Sequence, residues 1–104
     1  MDMEATVMEL IINAGESRSL AMQALQAARK GVWQDVDRLM QDAADAAKRA
    51  HDVQTMLIGM DEGCGTVPVN LILVHAQDHI MTSMLARELI AELIEVQRQL
   101  QHRN

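Results

Sequence analysis

Leu73-Val74-His75-Ala76-Gln77-Asp78-His79-Ile80-Met81-Thr82 is the stretch on which the reading of this chain turns. It sits in the third of three helical segments, amid mostly apolar residues. On that helix His75, Asp78, His79 and Thr82 fall at i, i+3, i+4 and i+7 and so share one face. Two imidazoles and a carboxylate in an otherwise apolar setting allow three readings. They can ligate a metal, one imidazole can act as a nucleophile that carries a phosphoryl group, or the stripe can be a polar layer that only sets register.

The helix around this stretch opens at Pro68, a residue tolerated in a first helical turn, and runs to about residue 102. Val69 to Val74 is almost wholly apolar, and Leu89, Leu93, Val96 and Leu100 line one side farther on. A helix that is apolar nearly all round needs cover on more than one side. Its early part is therefore expected to pack against other subunits as well as its own bundle. A second helix is predicted over about 33–58, with Val36, Leu39, Met40, Ala43, Ala47, Ala50, Val53 and Leu57 as its apolar stripe and Trp33 as a plug over the bundle end. His51 beside that stripe is read as a hydrogen-bonded structural residue. A first helix over about 3–30 carries Val7, Met8, Ile11, Ile12, Leu20, Met22, Leu25 and Ala28 at helical spacing, and Arg29-Lys30-Gly31 is a stop signal. Gly15, inside it, is read as a point of close helix approach in preference to room beside a site. Residues 59–67, with Gly59, Gly63 and Gly65, form the one clear loop. Gly63-Cys64-Gly65 lacks the downstream Gly-Lys-Ser/Thr of a phosphate-binding loop. Cys64 is read as an incidental thiol.

Composition agrees with an all-α fold. The chain has 104 residues, one Trp, no Phe or Tyr, and nine Met. A sheet would favour aromatic and β-branched residues. The length fits a single domain, 1–104, and is short enough that oligomerisation would supplement the core. A net charge of −6 argues against nucleic acid or an anionic membrane as a partner, since both reward basic patches. One cysteine excludes an internal disulfide and suits a reducing compartment. No apolar run approaches the ~20 residues that span a bilayer, and the acidic start has no signal-peptide layout. The expectation is a cytoplasmic protein with no membrane insertion.

The three chemistries differ in what they demand. His75 and His79 can grip one ion with Asp78 nearby, but the Glu of His-Glu-x-x-His is missing and there is no second ligand cluster unless His51 supplies one. The nucleophile reading needs one imidazole with a free ring nitrogen, which attacks phosphorus in line and forms a labile P–N bond. His79, Gln77 and Thr82 are then candidates to hold phosphate oxygens. Asp78 is a costly residue on an apolar face. If three copies pack around this helix, three Asp78 carboxylates meet on the axis, where a divalent cation with oxygen ligands, Mg²⁺ by preference, would neutralise them. Asp78 alternatively fixes a histidine tautomer.

The segment Val74-His75-Ala76-Gln77-Asp78-His79-Ile80-Met81-Thr82, continued by Ser83-Met84-Leu85-Ala86-Arg87-Glu88-Leu89-Ile90, resembles the active-site segment of the IIA component of the lactose/cellobiose class of the bacterial phosphoenolpyruvate-dependent sugar phosphotransferase system. Leu10-Ile11-Ile12-Asn13-Ala14-Gly15, Ser17-Arg18-Ser19-Leu20, Ala50-His51 and Val53-Gln54-Thr55 extend the likeness over about 7–100. The likeness is greater to the N,N′-diacetylchitobiose/cellobiose branch than to the lactose branch. It implies an all-α antiparallel three-helix bundle with a long third helix, assembled as a homotrimer. It implies that His75 accepts phosphate from phospho-HPr and passes it to a cysteine of the IIB component, while the membrane IIC component imports a β-linked disaccharide. It implies that Asp78 lines the trimer axis and binds a divalent metal, one per trimer, with Gln77 and His79 close to the site. The competing expectation is a metal-binding helical oligomer or an interaction bundle without phosphoryl transfer.

Overall fold

The computed structural model describes residues 2–103; the first and last positions of the expected 1–104 domain lie outside the described residues. Three helices follow one another: α1 Met3–Lys30, α2 Trp33–Asp61 and α3 Leu71–His102. Among the described residues there is no strand. The helices run up, down and up in a rod of 57 × 20 × 19 Å.

Their ends follow from local chemistry. Asp2 caps α1 by accepting the Ala5 N–H at 3.2 Å. Gly31, at φ 78°, closes it in the left-handed conformation behind Arg29 and Lys30. The other boundaries depart from the sequence reading. α2 runs on through Gly59 to Asp61, and the loop begins at Glu62. The Asp61 carboxylate accepts the N–H groups of Val67 at 2.9 Å and Gly65 at 3.3 Å, which ties the loop back onto the helix end. α3 begins at Leu71, not Pro68, because Asn70 is the N-cap and its side chain accepts the Leu73 N–H at 3.0 Å.

The core divides into two halves. Near the start of α1, Val7 and Leu10 meet Val53 and Leu57 of α2 and Leu73 and Ile80 of α3. At the other end Ala21, Ala24 and Ala28 meet Val36 and Leu39 of α2 and Ile90 and Ile94 of α3. The waist between them is made of small residues. Ser17 is fully buried and donates to the Ala43 carbonyl at 2.8 Å; Ser83, also buried, bonds back to Ile80 O at 3.1 Å.

α1 therefore buries its Ala/Ser face. The larger residues Met8, Ile12 and Met22, expected in the core, are exposed. On α2 the buried position is Ala46, with Ala47 half-exposed. Gly15 has no atom within 4 Å of where a Cβ would stand, so the expected close approach does not occur within the chain. Trp33 does plug the bundle end: its indole N–H donates to Gln101 at 2.9 Å, and Arg98 lies 4.4 Å above its ring.

On α3 the Leu89, Leu93, Val96 and Leu100 side does not face the bundle; those residues remain about half exposed. With Leu71 and Leu85 they form a second apolar stripe along the whole helix, opposite the buried line of Leu73, Ala76, Ile80, Ile90 and Ile94. The accessible surface is 6701 Å². A compact monomer of 11.6 kDa would expose about 5,800 Å².

Candidate functional site

α3 carries the site because it presents three faces. One is buried against α1 and α2. A second is the outward apolar stripe, in which Asp78 is set seven residues after Leu71 and seven before Leu85. His75 follows the stripe by about 60° of rotation from Asp78, since three residues turn ~300°.

His75 is exposed and His79 half-buried. Their i, i+4 spacing brings the rings together with Nε2 to Nε2 at 3.1 Å. The ring centroids are 4.5 Å apart and the planes nearly perpendicular at 88°. A single hydrogen bond between two neutral imidazoles requires complementary tautomers: one Nε2 carries the proton and the other presents its lone pair. The contact thus holds each ring in a defined orientation at the edge of the rod.

The other candidates are placed differently. Thr82 donates its hydroxyl to its own helix, to Asp78 O at 2.7 Å, so that O–H is already engaged. Gln77 does not join His75 within the chain. Two residues turn ~200°, which carries it to the α2 flank, where its side-chain amide pairs reciprocally with Gln54, one bond measuring 2.8 Å. This pair floors an apolar cavity of about 300 Å³ lined also by Leu57, Val67 and Leu73, which does not include His75. Asp78 is exposed and takes no side-chain partner among the described residues. No group of three or more His, Cys, Asp or Glu suited to a metal occurs among the described residues. Any ion held through Asp78 would need carboxylates from further copies.

His51, expected to be a satisfied structural residue, is exposed and lines a groove between α2 and α3 with Lys48, Met84 and Arg87. Two features escaped the sequence reading. The Gln54–Gln77 pair joins two amides from separate helices. Arg87 falls on the buried line of α3, four residues after Ser83 and three before Ile90, and its Nε is buried without a hydrogen-bond partner. The periodicity of α3 carried that second signal, since Leu73, Ala76, Ile80, Ser83, Ile90 and Ile94 leave a gap in register where Arg87 stands.

The fold is a three-helix rod whose third helix offers a paired, accessible histidine beside an exposed apolar stripe. Residues 5–98 match the family model described as the PTS system, lactose/cellobiose specific IIA subunit. The chain is 52% identical over 99 residues to the N,N′-diacetylchitobiose-specific EIIA component of Escherichia coli K12, covering 95% of this chain and 85% of that protein. It is 38% identical over 95 residues to the lichenan-specific IIA component of Bacillus subtilis, covering 91% and 86%. A crystal structure of the cellobiose-specific enzyme IIA from Bacillus anthracis superposes with a TM-score of 0.95 at 36% identity, covering 100% of this chain and 95% of that one. The IIA(chitobiose) chain of an Escherichia coli IIA–HPr complex superposes at 0.84 with 50% identity, covering 97% and 98%. The chain belongs to the lactose/cellobiose-specific IIA family and is a phosphotransferase component of the sugar phosphotransferase system. No helix among the described residues is long and apolar enough to cross a membrane.

Proposed function

We propose that His75 is the phosphoryl carrier of this chain, taking the group from phospho-HPr and giving it to a cysteine of a IIB component in the cytoplasm. The observation that supports His75 is its contact with His79, which orients an exposed imidazole through a 3.1 Å Nε2–Nε2 hydrogen bond. HPr as donor is supported by the related IIA(chitobiose) chain, which forms a complex with it. With His79 as donor, the Nε2 lone pair of His75 is the one held in place. That lone pair attacks phosphorus in line; the P–N bond to the donor histidine breaks as the P–N bond to His75 forms. The acceptor ring becomes cationic as the donor ring becomes neutral, so no proton is lost overall. The His79 N–H, released from the nitrogen that now bears phosphorus, can turn to a phosphoryl oxygen. In the second transfer a thiolate attacks phosphorus and neutral His75 leaves. Thr82 and Gln77 have their hydroxyl and amide engaged elsewhere in the chain, so His79 is the supporting group. The transported sugar would be a β-linked disaccharide of the diacetylchitobiose or cellobiose type, as the names of the relatives indicate, selected by a membrane IIC component.

The same reading includes a homotrimer around α3. Leu71, Leu85, Leu89, Val96 and Leu100 leave an exposed apolar stripe with near-seven-residue periodicity, the pattern of helices that pack side by side. Three Asp78 carboxylates would then approach one another on the axis and hold one divalent cation, Mg²⁺ by the chemistry of an all-oxygen donor set. When bound, the ion would neutralise charge.

Incubation with phosphoenolpyruvate, enzyme I and HPr should add roughly 80 Da per chain as an acid-labile modification. His75→Gln should abolish it. Full phosphorylation of that variant would refute the assignment. A long-range nitrogen–phosphorus NMR correlation to Nδ1 of His75 would refute the choice of Nε2.

A further inference from the structure

The α2–α3 groove on the flank of α3 away from His75 has no role in this reading. Its volume is about 370 Å³, and its lining is Ala44, Ala47, Lys48, His51, Met84 and Arg87. That volume is in the range of small-ligand sites. Three of the six lining residues bear nitrogen donors, and none is a carboxylate. This is notable in a chain with 15 acidic and only 9 basic residues. Lys48 is the one member already paired, to Asp52 at 3.0 Å, and that pair is exposed. Among the described residues the His51 imidazole has no hydrogen-bond partner and Arg87 forms no ion pair.

Arg87 is the unusual residue. It occupies a position on the buried line of α3, between Ser83 and Ile90, where a core residue is expected. Its Nε is buried and unpartnered. A charged donor left buried without an acceptor is costly, so a guanidinium retained there calls for an acceptor. The alanines of α2 leave the space in which an acceptor can sit. A guanidinium offers its donors as a planar fork that matches the oxygens of phosphate two at a time.

We propose that this groove binds a small phosphorylated molecule, with Arg87 as the principal contact and His51 and Lys48 closing on the remaining phosphate oxygens. Nε and a terminal nitrogen of Arg87 take two oxygens, which satisfies the buried donor. The imidazole of His51 supplies a third donor, and Lys48 exchanges its exposed Asp52 contact for the bound anion. The site lies on α3 eight residues beyond His79, about 12 Å along the axis, and on a different flank, so it does not share ligand atoms with the phosphoryl-transfer site.

The test uses the full ¹⁵N-labelled chain without phosphoryl donors. Inorganic phosphate, a hexose phosphate, acetate and unphosphorylated glucose are titrated at constant ionic strength. The Arg87 Nε–H and His51 imidazole resonances are followed. The expected result is saturable shifts of both with either phosphate compound and none with glucose. Arg87→Gln should weaken binding at least tenfold with helical content unchanged, while His75→Gln should bind as the wild type does. Arg87→Lys, which keeps the charge but removes Nε, should also weaken binding and guards against a folding artefact. Tighter binding of the hexose phosphate than of inorganic phosphate would identify a phosphorylated metabolite as the ligand; equal affinity would identify phosphate itself. Shifts that rise linearly without saturating, acetate binding as tightly as phosphate, or binding unchanged in Arg87→Gln would overturn the proposal. Loss of binding in His75→Gln would do the same by assigning the anion to the transfer site.

Discussion

Leu89 and Ile90 are neighbours in sequence and face opposite ways. Leu89 is 55% exposed and Ile90 4% exposed. If the outward stripe of α3 is the surface on which copies assemble, substitutions at these two positions should act on different equilibria. Fully burying a leucine side chain is worth about 1.5–3 kcal/mol. The exposed 55% of Leu89 thus holds back about 0.8–1.6 kcal/mol per subunit, or about 2.5–5 kcal/mol per trimer. Leu89→Ser should therefore weaken trimer association by roughly two to three and a half orders of magnitude and leave the helical signal of the dissociated chain unchanged. Ile90→Ala empties a filled core site, which costs about 2–5 kcal/mol of folding stability. Sedimentation equilibrium across micromolar concentrations reads the first effect, and urea unfolding followed by circular dichroism reads the second. If Leu89→Ser lowers the unfolding midpoint at concentrations where the wild type is monomeric, the stripe is part of the bundle core and the reasoning fails. A wild type that stays monomeric throughout would remove the assembly itself.

Three further outcomes are expected. Asp78→Leu should strengthen the trimer and abolish any stabilisation by Mg²⁺, because it replaces converging carboxylates with apolar surface; weaker association in sedimentation would place Asp78 off the axis. Gln77→Leu should destabilise the fold by about 1–2 kcal/mol by stranding the half-buried Gln54 amide, and adding Gln54→Leu should restore most of that loss, as a double-mutant cycle in urea would reveal. Gly15→Ala should stabilise α1 by about 0.5–1 kcal/mol, since helix propensity improves and no atom lies within 4 Å of the new methyl; a lower melting temperature would show a neighbour there in the assembled protein, and slower phosphorylation with raised stability would show that the space admits a partner.

Much of this architecture is legible from helical spacing, and its failures have physical causes. The existence and order of three helices follow from periodicity, the stop at Gly31 and the break near the clustered glycines. The end of α2 and the start of α3 are not legible from spacing because side chains set them. Asp61 draws loop amides back onto the helix, and Asn70 takes the capping role that Pro68 cannot fill. The inward face of α1 is not legible from spacing because two faces of that helix are apolar and spacing does not rank them. Volume does: α1 passes close to both other helices, so Ala14, Ser17, Ala21 and Ala24 go inside and Met8, Ile12 and Met22 go out.

Within the candidate site, the same periodicity that grouped the polar residues also separates them. Spacings of three and four place His75, Asp78, His79 and Thr82 on one face, but that face is broad. His75 and His79 meet at its edge, and Asp78 stands about 60° away on the apolar stripe. Gln77 lies two residues from His75, a step that nearly reverses direction on a helix. Hydroxyl capture by the helix backbone, as at Thr82, is a local competition that residue type predicts and spacing does not. The polar stretch is thus a boundary between two surfaces of one helix. His75 stands at the margin of that stripe, on the azimuth of Leu93 eighteen residues or five turns farther along. If copies of the chain pack on this stripe, a bulky substitution at Leu89, fourteen residues beyond His75, should weaken association in sedimentation while leaving the His75–His79 contact intact.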